Sequence, residues 1–180
     1  MNTKKLLSVG VLALIALVLS IVPVSARTTR IEVEAYEVKC FYDPGDIWVS
    51  DGIYHARGGF QSGPRIPLSD EDPIQDLESI YSTVNVNLNL KTLKGNGWGS
   101  FTGEGFEGIW NGKLTGNEQG GLDSKGQSIG HGIGEFEGWE LRIEWESVSP
   151  THFADYAEYC GGTIPQAVNH SYVTYLIPGQ

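Results

Sequence analysis

From residue 29 onward, apolar and polar side chains alternate with a period of two, and no helical stripe interrupts them. This is the pattern of strands that are dry on one face and wet on the other. RIEVEAYEV sets Ile31, Val33 and Ala35 against Glu32 and Glu34. SIYSTVNVNLNL is the longest clean run, with Ile80, Val84, Val86, Leu88 and Leu90 on one face and Tyr81, Thr83, Asn85, Asn87 and Asn89 on the other. One packed face and one wetted face is the habit of antiparallel sheets. In IWVSDGIYHARG, Asp51-Gly52 predicts a two-residue hairpin turn, because glycine accepts positive φ. That turn sets Ser50 opposite Ile53, Val49 opposite Tyr54 and Trp48 opposite His55. Residues 61–78, with three prolines and five acids, alternate with nothing and read as one long loop or lid.

Two features bound location. Lys4 and Lys5 precede an apolar run from Leu6 to Val22, then Pro23 and Val24-Ser25-Ala26. These are the parts of a secretory signal, with cleavage expected after Ala26 and an uncleaved anchor as the alternative. Residues 27–180 are then expected to form a single domain, without a membrane span. The net charge of −10 becomes −12 once the two lysines are set aside. Such a surface repels nucleic acid. Cys40 and Cys160 are the only cysteines, and in an exported protein an even pair reads as a disulfide. It would tie the two ends of the domain together.

Most of the 24 glycines fall between residues 95 and 138, interleaved with Trp98, Phe101, Phe106, Trp110 and Ile133. Glycine in a strand allows a sharp bend or the close approach of a ring or backbone. Short antiparallel strands, hairpin turns and such glycines predict an antiparallel β-barrel of about seven to nine strands. NHSYVTYLIPG supplies a last strand to close it. The expected core is Ile31, Val33, Val84, Val86, Leu88, Trp110, Leu114, Trp139, Leu141, Ile143, Trp145 and Tyr172 or Val173. A helical turn in SPTHFADYAEYC is weakly signalled.

FTGEGFEGIWNGKLTG, a polar loop and IGHGIGEFEGWELRIEW together resemble the strand pair of small barrels in the allene oxide cyclase-like group, within the calycin-type barrels. The resemblance covers residues 95–147 and rests on glycine spacing. It implies an architecture and transfers no functional residue, since a shared barrel does not license a shared reaction.

Candidate catalytic residues come from one question of phase. If a strand ran straight from Ile129 to Trp145, then His131, Glu135 and Glu137 would line the interior with Ile133, Trp139, Leu141 and Ile143. Buried carboxylates beside a histidine can serve as acid and base. A phase shift at Gly138 instead buries Phe136 and puts both glutamates in water. The echo of GEGFEGIW (103–110) in GEFEGW (134–139) favours the shift. Candidate ligand contacts are Trp48, His55 and Arg57, grouped across the hairpin, together with Trp110. Arginine forks onto carboxylates, and tryptophan supplies a stacking plane. No metal-ligand spacing or nucleotide-binding loop in a fitting context occurs, and no cofactor is expected. Two functions follow: a secreted barrel that binds a small apolar or aromatic ligand or is structural, and a cofactor-free isomerase or cyclase working inside the barrel.

Overall fold

The structure is a computed structural model, and it describes residues 28–75, 79–117 and 121–179. The expected signal segment, residues 1–26, lies outside them. Ten strands form one antiparallel sheet: β1 (Thr29–Lys39), β2 (Phe41–Asp43), β3 (Asp46–Ser50), β4 (Ile53–Pro67), β5 (Ser79–Asn89), β6 (Lys94–Gly103), β7 (Phe106–Gly116), β8 (Leu122–Gly132), β9 (Glu140–Ser147) and β10 (Ala167–Ile177). Each strand from β4 to β10 pairs with the next. β10 then pairs with β1 along all of β1, from Thr29↔Ile177 to Lys39↔Ala167, and β1 returns to β4 through Ala35↔Pro67, Tyr36↔Ile66 and Glu37↔Arg65. Eight strands thus close a ring.

β2 and β3 continue where β1 leaves off, so β1, β2 and β3 succeed one another along a single edge of β4. The β3–β4 hairpin has the register expected from Asp51-Gly52, with Ser50↔Ile53, Val49↔Tyr54 and Trp48↔His55. Asp51 and Gly52 have φ of 52° and 74°, the double positive φ of a tight primed turn.

Much of the segment expected to be a loop is strand. β4 runs through residues 61–67, and only residues 68–75 remain as described loop. Proline is tolerated in β4 because both prolines sit at the ends of ladders. Pro64 is the last residue paired with β5, and Pro67 the last paired with β1. The remaining loop turns inward, with Ile74 joining the core.

The inward row of each strand makes that core. Val33, Ala35, Ile80, Phe101, Phe106, Leu141, Ile143, Val173 and Tyr175 are buried, with Ile31, Phe136, Trp139 and Trp145 packed against them. Of the two alternatives in the last strand, Val173 points in and Tyr172 is exposed. Outside the ring, an eleven-residue 3₁₀ segment, Pro150–Cys160, packs on β1 and β10. The outward Val38 and Val168, cross-strand partners, are fully buried on that side. The segment ends at the Cys40–Cys160 disulfide, whose Cα atoms are 5.3 Å apart. Among the described residues, no helix is long and apolar enough to cross a membrane.

The glycines explain how the interior holds its rings. Gly97, Gly112 and Gly126 are successive partners across β6, β7 and β8, and Gly126 faces Trp145 on β9. A Cβ on Gly112 would stand 2.6 Å from Trp145 Cη2, and one on Gly126 2.5 Å from Cζ2. One level along, Phe101 is partnered by Gly108 and then Gly130, where added Cβ atoms would meet its ring at 2.7 and 2.8 Å. None of these glycines has a positive φ in the left-handed region. They leave room for a neighbouring ring, which is aromatic rescue of glycine, and at Gly108 and Gly126 also for the adjacent backbone, whose Ile129 and Asn111 carbonyls would each stand 2.2 Å from an added Cβ.

Candidate functional site

The interior holds a cavity of about 160 Å³. Its walls are Val84 and Val86 on β5, Trp110 and Leu114 on β7, Ser128 on β8, and Ile143 and Trp145 on β9. The indoles of Trp110 and Trp145 meet edge to face, with centroids 6.2 Å apart. Trp110 donates its Nε1–H to the Thr83 carbonyl at 3.0 Å, which fixes its plane.

Charged groups form two clusters in this interior, adjoining where Glu37 and Arg65 are cross-strand partners. In one, Lys39 is 2% exposed, and its Nζ donates to Glu37 Oε2 at 3.1 Å. The other Glu37 oxygen accepts from the buried Ser171 hydroxyl at 3.2 Å. Both residues continue the inward row of Ile31, Val33 and Ala35. Extending that two-residue period by four positions would have found them from sequence.

In the other, Arg65 on β4 forms a buried ion pair with Asp72 from the inward-turned loop, and its Nε lies 3.6 Å from Glu104 Oε2. Arg65 also donates to the Ile74 carbonyl at 3.3 Å, and Asp72 accepts from the Ile74 amide at 3.0 Å. Tyr175 donates its hydroxyl to Asp72 at 3.2 Å. Burial opposes the charge on Arg65, but Tyr175, Asp72 and Glu104 outweigh it and hold the guanidinium above its ordinary range. Burial also pushes the Tyr175 hydroxyl far up, with Arg65 opposing and Asp72 and Glu104 reinforcing. Glu104 occupies the first position of the two-residue β6–β7 turn with φ of 56°, followed by Gly105 at 77°. A non-glycine residue there carries a backbone cost of order 1–3 kcal/mol. Arg65 and Asp72 are only seven residues apart, but Glu104 joins them from the β6–β7 turn, which nothing in the local sequence links to either.

The residues expected to be catalytic lie elsewhere. His131 points outward on β8, its Nε2 3.0 Å from Glu107 Oε1, with both side chains more than half exposed. Between Ile133 and Trp139 the chain leaves the sheet in a 3₁₀ turn, Gly134–Phe136. Glu135 and Glu137 are exposed, and Phe136 turns in to stack on Phe106 with centroids 5.1 Å apart. The straight strand that would have buried the two glutamates is not formed. The echoed segments differ in backbone and meet in space: the Ile133 amide donates to the Gly105 carbonyl at 2.7 Å.

The other candidates divide. Trp110 lines the cavity, whereas Trp48, His55 and Arg57 form a cluster on the outer face. Trp48 stacks on His55 at 4.9 Å. The Arg57 guanidinium lies 5.5 Å from the Trp48 ring centroid and 4.7 Å from that of Trp98. It is also bonded to the Ala56 and Val86 carbonyls and to Asn87 Oδ1. Most of its fork is therefore occupied within the protein, so the cluster reads as a cross-strand brace. Among the described residues, no group of three or more His, Cys, Asp or Glu is placed to hold a metal ion.

Comparison with family models, curated proteins and solved structures finds no match to this chain.

Proposed function

We propose that the protein is exported, that its ring is a small calycin-type barrel of the allene oxide cyclase-like kind, and that it binds a small ligand with an apolar or aromatic body inside the ring. The observation that carries the binding reading is the cavity of about 160 Å³ walled by Trp110 and Trp145, with Lys39 and Glu37 on its lining. A cavity of roughly 150 Å³ lined by apolar side chains is enough to take benzene. Binding pockets characteristically combine apolar walls with a few placed polar groups.

Native mass spectrometry of the protein purified from the cells that make it tests this reading. The expected result is a retained small molecule that leaves on denaturation, on a chain whose mass begins at Arg27. No retained mass, together with unchanged behaviour of a Val84→Phe variant that fills the cavity, would leave the ring a structural role only.

A further inference from the structure

Lys39 identifies the chemistry of the ligand. Its ammonium is 2% exposed, carries three N–H donors, and has one acceptor within the described protein, Glu37 Oε2. Glu37 is occupied by Lys39 and by the Ser171 hydroxyl. The cavity therefore has donor capacity at Lys39 and a ring-sized space of about 160 Å³ bordered by the Trp110–Trp145 pair. The ligand's own charge is set by what already stands inside. Arg65 and Lys39 bring two positive charges, and Glu37, Asp72 and Glu104 bring three negative ones. An added carboxylate would deepen an existing negative excess in a water-poor space, even with Lys39 beside it. An added ammonium would meet Lys39 as a like charge. A neutral oxygen acceptor meets neither penalty.

We propose, resting on the ligand-binding reading above, that the cavity takes a small uncharged carbonyl compound with a ring-sized apolar body. Its oxygen accepts from Lys39 Nζ, and its body lies against Trp110, Trp145 and Val84.

Calorimetric titration of the purified protein with acetophenone, ethylbenzene and benzoate tests this. These probes share a ring and differ in the oxygen and the charge. Acetophenone is expected to bind at least tenfold more tightly than ethylbenzene or benzoate. In a Lys39→Met/Glu37→Leu variant, which replaces the pair by apolar side chains and avoids stranding a charge, acetophenone falls to the level of ethylbenzene while ethylbenzene keeps its affinity. Circular dichroism establishes that this variant is folded. Should it fail to fold, the ratio of acetophenone to ethylbenzene affinity on the unmodified protein decides alone.

Parity of acetophenone and ethylbenzene on the unmodified protein overturns the carbonyl proposal and leaves the ligand reading standing. The same holds if benzoate is the tightest binder, or if the carbonyl preference survives removal of Lys39. Binding of none of the three overturns both.

Discussion

The six-membered ring of Trp145 lies against the bare backbone of Gly112: a Cβ there would stand 2.6 Å from Cη2 and 2.9 Å from Cζ2. Gly112→Ala should therefore destabilise the protein by about 1–3 kcal/mol through overpacking. Because the two nearest obstructing atoms belong to a side chain and the third is the Lys125 carbonyl at 3.0 Å, a Trp145→Leu background should absorb part of the cost. A double-mutant cycle in urea is the measurement, and additive effects would show that the ring and the glycine are independent.

Arg65 is held by Asp72 and Glu104 in the interior. Arg65→Met strands carboxylates that water does not reach, and an expected loss of about 3–5 kcal/mol follows. Arg65→Met/Asp72→Leu should be less damaging than Arg65→Met alone, although it also removes the acceptor of Tyr175 and Ile74. Chemical denaturation of the two variants reads the order.

Alkali should unfold the protein through its tyrosines. Burial holds Tyr175 well above the ordinary value of about 10, and burial with the Tyr36 hydroxyl pushes Tyr156 up to about 12. Both folded values are raised, so the stabilising contribution is complete below pH 10. It is lost as pH rises from 10, through about 12 for Tyr156 and beyond that for Tyr175. Thermal melts should fall over this range, and Tyr175→Phe should flatten the fall. A melting temperature that holds constant to pH 12 would contradict the assignment.

The Cys40–Cys160 disulfide closes a loop with a sequence separation of 120 residues. In the chain-entropy model that constraint is worth about 5 kcal/mol. Cys40→Ser/Cys160→Ser should lower the denaturation midpoint accordingly, with the fold retained, because β1 and β10 remain paired along their length.

His131, Glu135 and Glu137 are exposed, so His131→Ala, Glu135→Gln and Glu137→Gln should each change stability by less than about 0.5 kcal/mol. Binding of the probes inside the ring should be unaffected by all three. A loss of binding in any of them would place a site on the outer face instead.

Local chemistry made several of these features legible. Asp51-Gly52 determined its hairpin register, since two residues with positive φ admit few alternatives. Strict alternation set Leu141, Ile143 and Trp145 on the inner face, against Glu140, Arg142 and Glu144. Parity alone left Glu135 and Glu137 open; the phase shift favoured by the echo of GEGFEGIW exposes both and turns Phe136 inward, because the chain leaves the sheet there. Parity misread residues 61–67 of β4 as loop, because proline marks a strand's ladder ends as readily as it marks a loop.

The sequence by itself determined the period, the turns, the pairing of the only two cysteines and the presence of glycines spaced among aromatic residues, because each depends on residues near one another or on a count. Only the tertiary structure decided which ring rests on which glycine, that Glu37 and Lys39 share an interior with Trp110 and Trp145, and that Arg65 meets Asp72 and Glu104. The physical reason is closure. Cross-strand register converts distant positions into neighbours, and a carboxylate becomes buried only when the far side of the ring arrives to cover it.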